Sequence, residues 1–159
     1  MLALPYFNRR ARIFPNPYYT WVHHDVLPDF PATEYAKARD RYMVYFDSTQ
    51  KHLTEPYFPN ASMGWDPTPR TDQTQPWENG SYPYTAVIVG NTPAAFREAM
   101  RIIRDRLLAA PTRPKIVTIN SWNEWTEGSY LEPDTVHGLA YLEAVKEIFG
   151  TAPPARTSP

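Results

Sequence analysis

The 159-residue chain contains no cysteine and only six glycines. Without cysteine there is no disulfide framework, no thiol nucleophile and no thiolate metal site, and the compartment is left undecided. None of the glycines falls in a run that cradles a nucleotide phosphate. No stretch approaches the roughly 18 apolar residues of a membrane span. The N-terminal MLALPYFNRRARIF has no basic segment ahead of a long apolar run, so it makes a poor signal peptide. The formal net charge of −1 offers no electrostatic reason to expect nucleic acid or an anionic membrane as partner. Ser121 and Ser129 lack the G-x-S-x-G setting of a serine hydrolase nucleophile. His23, His24 and Asp25 stand together, but no HExxH or second cluster completes a metal site, and no cofactor is implied.

What the chain does have is apolar mass and rings. Apolar residues make up 42% of it, which is not a disordered composition, and its length suits one domain with one core. Aromatics reach 14%, and 18 residues are proline. The prolines lie between strong helices and strands, which points to long rigid loops rather than a linker. The aromatic excess has two readings, core packing or stacking on flat apolar faces such as those of sugar rings.

Residues 1–32 read as irregular. Thr33 is placed to cap a helix running to about Leu53, with Tyr35, Ala38, Tyr42, Phe46, Thr49 and Leu53 on one stripe. A short strand is expected over about Asn60–Trp65. Residues 64–84 then show almost no periodicity, and a loop of that length containing four rings and an arginine is expected to be functional. TAVIVG (85–90) reads as a short buried strand. Thr92 caps the next helix, with Pro93 where a missing N–H is harmless and Phe96, Met100, Ile103 and Leu107 inward. KIVTINS (115–121) is apolar and β-branched at its centre, as expected of a strand covered on both faces. A last helix spans about His137–Phe149 with Leu139, Leu142, Val145 and Phe149 inward, and residues 151–159 form a disordered tail. Strands alternating with helices mean parallel βα units. Two such units cannot close a sheet. The expected fold is therefore α/β, with residues 1–150 the C-terminal portion of an incomplete (β/α)8 TIM-type barrel, which typically needs about 250 residues. A missing N-terminal barrel portion is an expected partner.

The chemistry concentrates in SWNEWTEGSYLEP (121–133). Glu124 and Glu127 follow the KIVTIN strand, where barrels carry their catalytic groups. Three apart in a turn, they can share one face. Cleaving a glycosidic bond takes two carboxylates in different states, one ionised and one protonated. Trp122 and Trp125 beside them would desolvate one acid, or else simply close the end of a core. Asn123 either bonds a sugar hydroxyl or orients a carboxylate, and Tyr130 is open between the two roles. Glu132 and Asp134 precede the last helix, where acids complement its dipole.

SWNEWTEGSYLEPD followed by HGLAYLEAV resembles the C-terminal signature of glycoside hydrolase family 99-like proteins, including the WbsX group of polysaccharide biosynthesis clusters. SMGWDPTPR resembles that group's Gly-Trp-Asp…Pro-Arg segment, and GNTPAAFREAM its next helix start. The resemblance covers roughly residues 33–150. It implies a (β/α)8 barrel acting on a carbohydrate substrate, with hydrolase members that cleave α-mannoside linkages. In those hydrolases the acids lie in Glu-Trp-X-Glu, here Glu124 to Glu127. Glu124 would act as base on the neighbouring 2-hydroxyl to form a sugar epoxide, and Glu127 as general acid and then base. The endomannosidases have His where this chain has Thr126. The resemblance also gives the middle loop a role: Asp66 and Arg70 would face the same pocket, Arg70 pairing with Asp66 or binding substrate. Trp65 and Trp77 become sugar-stacking candidates beside Trp122, Asn123, Trp125 and Tyr130. The expected function is glycosidic bond cleavage. The alternatives are glycan processing or glycosyl transfer in surface polysaccharide assembly, or an inactive carbohydrate-binding fragment.

Overall fold

A computed structural model describes Trp21 and residues 26–52, 57–111 and 115–150. His23, His24, Asp25, Leu53, Pro114 and the 151–159 tail lie outside the described residues. In chain order the elements are β1 (Ala32–Glu34), α1 (Tyr35–His52), β2 (Asn60–Ala61), a 3-10 turn (Thr68–Arg70), β3 (Val87–Val89) and α2 (Pro93–Ala109). They continue with β4 (Thr118–Ile119), β5 (Asn123–Glu124), a second 3-10 turn (Trp125–Glu127), β6 (Ser129–Tyr130) and α3 (Ala140–Phe149).

The strands make two parallel ladders, β1 with β3 and β2 with β4, and one antiparallel hairpin, β5 with β6. On its other side β3 meets the chain that follows β2, through Ile88 N–H donating to the Trp65 carbonyl at 2.8 Å. Each parallel pair is separated in the chain by a helix, and the ladders are small two-stranded ones.

Thr33 does not cap α1. It sits in β1, and its hydroxyl donates to the Asp29 carbonyl at 3.1 Å and accepts from the Asp29 N–H. A β-branched residue just before a helix serves a short strand as readily as a cap. The stripe on α1 is as expected, with Tyr35, Ala38, Tyr42, Phe46 and Thr49 buried, and it is widened by Met43 and Tyr45. The aromatic tips of this layer hold β2 in place. Trp21 Nε1 donates to the Asn60 carbonyl at 3.0 Å, Tyr35 Oη donates to the Ser62 carbonyl at 2.7 Å, and Tyr42 Oη accepts from Asn60 N–H at 2.7 Å. Burial pushes the Tyr42 phenol up to about 12 and the Tyr35 phenol well above its ordinary value. Both stay neutral at physiological pH. Buried backbone groups that a two-residue strand leaves unpaired are thus satisfied by side chains.

α2 follows the sequence closely. Thr92 accepts from Ala95 N–H, Pro93 opens the helix, and Phe96, Met100, Ile103 and Leu107 are buried. α3 follows it in part. Leu142 and Val145 are partly buried against the core as expected, but the buried residues are Tyr141, Ala144 and Ile148, with the Tyr141 ring 5.6 Å from that of Phe96, and Leu139 and Phe149 are exposed. The helix has one broad apolar face, and packing on α2 is centred on the part of it that carries Tyr141. The edge of that face, with Val145, Ile148 and Phe149, joins Leu107, Val117 and Ile119 in lining a largely apolar cavity of about 720 Å³ that Arg104, Asp105 and Lys115 also border. KIVTINS therefore departs from expectation: only Thr118 and Ile119 are in a ladder, Ile116 is exposed, and Val117 and Ile119 face this open cavity. The Asn60–Trp65 strand is likewise shortened to two residues.

The packing of α2 on α3 gives a direct test. Phe96→Ala removes a fully buried ring and is expected to cost about 3–5 kcal/mol in urea unfolding. Leu108→Ala, on an exposed side chain of the same helix, is expected to change stability by less than about 0.5 kcal/mol.

Candidate active site

The two acids lie on a small built device. β5 and β6 pair Asn123 with Tyr130 and Glu124 with Ser129, and the turn Trp125–Glu127 fills the hairpin between them. Gly128 closes the turn at φ +57, a left-handed position that suits glycine. The Thr68–Arg70 turn of the GWDPTPR loop packs against it. Asp66 N–H donates to the Glu127 carbonyl at 2.6 Å, so the backbones themselves touch. A Cβ on Gly128 would lie 2.9 Å from the Asp66 Cβ, and one on Gly64 would lie 2.8 Å from the Gly128 carbonyl oxygen. Only glycines permit this crossing.

The crossing delivers Arg70 to both acids. Its Nη2 pairs with Glu124 Oε1 and lies 3.7 Å from Glu127 Oε1, and its Nε donates to Thr126 Oγ1 at 2.9 Å. The Thr126 hydroxyl in turn donates to Glu124 Oε1 at 3.2 Å. Tyr82 donates its phenolic hydrogen to Glu127 Oε1 at 2.7 Å, and the guanidinium carbon of Arg70 lies 5.9 Å from the centre of that ring. The Asp66–Arg70 pair expected from the sequence is replaced by this arrangement. The Asp66 carboxylate instead accepts from Thr68 N–H and Thr68 Oγ1, at 3.0 and 2.6 Å, and so braces the turn that carries Arg70.

Glu124 and Glu127 border a cavity of about 230 Å³ that Trp65 also lines. Trp65 is buried, with its Nε1 donating to Thr85 Oγ1 at 3.0 Å and its ring 6.1 Å from Tyr82. It serves the core and presents a surface to the cavity. Glu127 is the more enclosed acid, its side chain 20% exposed against 43% for Glu124.

The remaining aromatic candidates are not gathered here. Trp125 stacks on Tyr130 with ring centres 3.8 Å apart, and its Nε1 donates to Glu132 Oε2 at 2.9 Å. Trp122 is largely exposed, and its carbonyl accepts from Leu131 and Glu132 N–H. Trp77 packs on Phe30 with ring centres 5.1 Å apart. Asn123 is exposed on the hairpin. None of these five lines the cavity. Asp134 is structural, as expected, its carboxylate accepting from Val136 and His137 N–H before α3.

Sequence reasoning did not single out Tyr82, nor Trp21, Ser62 and Asn120 around the cavity, and it weighed Ser121 and Ser129 there only as nucleophiles. Only SYPY, a ring pair inside the long loop, offered a signal for Tyr82. Thr126 was noted only as a departure from a histidine pattern, and it proves to hold Arg70 to Glu124. Among the described residues no group of His, Cys, Asp and Glu is arranged to hold a metal ion.

A family model described as "Glycosyltransferase WbsX" matches residues 12–145. The protein called "Uncharacterized protein WxcX" in Xanthomonas campestris pv. campestris strain B100 is 33% identical to the chain over 101 residues, and so is its namesake in strain ATCC 33913. That stretch is 63% of this chain and 13% of each relative, so the chain spans only a small part of their length. No solved structure matches the chain.

The hydrogen bond to Glu127 raises the Tyr82 phenol above its ordinary value. Its contribution is complete at neutral pH, below the unfolded phenol's pKa, and is lost as pH rises through the raised value. In Glu127→Ala this phenol is expected to titrate at lower pH than in the parent. Alkaline ultraviolet difference spectra, with Tyr82→Phe identifying the signal, check this.

Proposed function

The chain belongs to the WbsX family, and from that premise we propose that it carries the acid pair of a carbohydrate-active enzyme that acts on glycosidic bonds, with Glu124 and Glu127 as the reacting carboxylates. One observation carries the reading: both carboxylates converge on a single guanidinium nitrogen at the edge of a cavity lined by an indole. Two acids so placed suit chemistry at one bond, and the mechanism needs no cofactor. The fold proposed for the parallel βα units is the C-terminal part of a (β/α)8 barrel. The open apolar cavity beside β4 and α3 is consistent with further elements covering it.

In the proposed reaction Glu124 takes the proton from the sugar 2-hydroxyl as that oxygen attacks C1. The glycosidic C1–O bond breaks, and Glu127 gives its proton to the departing oxygen. The product of this half is a 1,2-epoxide sugar. An incoming hydroxyl then attacks C1 and passes its proton to Glu127, and the epoxide oxygen recovers its proton from Glu124. Glu127, the more enclosed acid, has the role that gains most from shelter. Arg70 pairs with both acids in the free protein. The sugar, on entering, has to take over part of that contact, so Arg70 is proposed to swing to the substrate's hydroxyls.

A second reading rests on the description of the family as glycosyltransferases. If the incoming hydroxyl belongs to another sugar rather than to water, the same two acids forge a linkage. Surface polysaccharide assembly is the setting proposed for it.

Both readings place the same demand on the acids. Purified protein assayed on aryl glycosides and on mannan- and xylan-type glycans, with and without acceptor sugars, is expected to release or transfer sugar. Glu124→Gln and Glu127→Gln are each expected to lose about 100-fold or more in kcat/KM. Folded wild type and variants that are equally inert throughout would reject the proposal on these substrates. Products appearing only with an acceptor would select transfer.

A further inference from the structure

We infer that Ser129 and Asn120 form a neutral hydroxyl-recognition subsite in the wall of the cavity, one that sets which sugar epimer is accepted beside Glu124 and Glu127. The inference rests on the carbohydrate reading above and names residues that reading does not use.

The first observation is an orphaned hydroxyl. Ser129 is only 2% exposed, it lines the cavity, and its Oγ has no hydrogen-bond partner. Buried polar side chains are overwhelmingly paired, and one that is not calls for a partner supplied from elsewhere. Rotation about the single χ1 bond re-aims this hydroxyl. Its neighbours do not free themselves to satisfy it. Ser62 Oγ is engaged with the Gly64 backbone, donating to its carbonyl at 3.0 Å and accepting from its N–H at 3.2 Å. Ser121 Oγ donates to the carbonyl of Ser129 itself.

The second observation is Asn120. Its Oδ1 accepts from Met63 N–H at 3.3 Å, which fixes the orientation of the amide. Its Nδ2 has no partner among the described residues, and Asn120 also lines the cavity. The tie between Ser121 and Ser129 joins the chain after β4 to β6, so both residues belong to one wall, which also carries the acids on β5 and the turn after it. Ser129 both donates and accepts, and the Asn120 amide nitrogen donates only. Together they offer one wall of the cavity two donors and an acceptor, the complement of a sugar hydroxyl. A site built to bond a hydroxyl discriminates strongly against an analogue that lacks or inverts it.

Binding measurements separate this role from packing. Wild type, Ser129→Ala and Asn120→Ala are titrated calorimetrically with methyl glycosides of mannose, glucose, galactose and their deoxy analogues. Circular dichroism confirms that each variant is folded, and Ser129→Cys provides a near-isosteric second variant. The expected result is that wild type prefers one epimer, and that Ser129→Ala weakens that glycoside roughly tenfold, the effect of one lost hydrogen bond. The deoxy analogue lacking the recognised hydroxyl should bind wild type and Ser129→Ala equally. If both alanine variants bind every glycoside as wild type does, while Glu127→Gln abolishes turnover, Ser129 and Asn120 only pack and the catalytic reading stands. If wild type binds no glycoside and turns none over, the inference falls together with that reading.

Discussion

The contact on which the site depends is a backbone one, the Asp66 N–H donating to the Glu127 carbonyl between two glycines. It joins a loop that follows β2 to a hairpin that follows β4, and those strands are already paired in parallel. Gly64 and Gly128 leave room that any Cβ would fill. Because the crossing is made by main chain, side chains on both segments are free for other work. Asp66 uses its own to brace the Thr68–Arg70 turn, and Arg70, four residues on, meets Glu124 and Glu127. The layer beneath is held in the same manner. Trp21, Tyr35 and Tyr42 place their polar tips on the backbone of residues 60–62. The aromatic excess in the composition therefore divides: α1 and its partners use rings as core with polar handles, while Trp65 and Tyr82 border the acids.

Parts of this were legible in the sequence because they are local. Thr92-Pro93 and the Phe96, Met100, Ile103, Leu107 spacing contain all that α2 needs, a cap and one apolar face. That Glu124 and Glu127 follow an extended β-branched run was also legible, since it needs only the order of residues. The face of α3 was legible only in part, because AYLEAVKEIF has one broad apolar face and periodicity cannot say which part of it is centred on α2. The length of β4 was not legible either, since β-branched residues mark an extended segment without saying which of them find ladder partners. Arg70 was read as pairing with Asp66, four residues away, or binding substrate, whereas its hydrogen-bond partners Glu124 and Thr126 lie more than fifty residues away. Nothing local in a chain signals such a pairing. Ser129 and Asn120 were silent for a different reason: small polar residues carry no motif, and only an accounting of hydrogen bonds makes an unpaired hydroxyl visible.

Thr126 deserves its place in the argument on chemical grounds. The hydrolases that the motif resembles have histidine at this position. Threonine here supplies one oxygen that accepts from Arg70 Nε and donates to Glu124. The Thr126 linkage and the attachment of Arg70 to Glu124 are thus one feature, and the departure at this position alters how the acid pair is held more than whether a pair exists.

The ion cluster itself is a weak candidate for cement. Arg70 and Glu124 are both substantially exposed, and ion pairs in solvent contribute little to stability, since water screens them and ordering two long side chains opposes them. The glycine crossing, the Asp66-braced turn and the β5–β6 pairing already place the segments without any charge. A guanidinium directed by its turn onto two carboxylates is therefore poorly explained by folding needs. Two carboxylates brought together repel, and the cation between them offsets that repulsion. The backbones and the buried rings place the segments, and Arg70 lies on the two acids as a contact added to that frame.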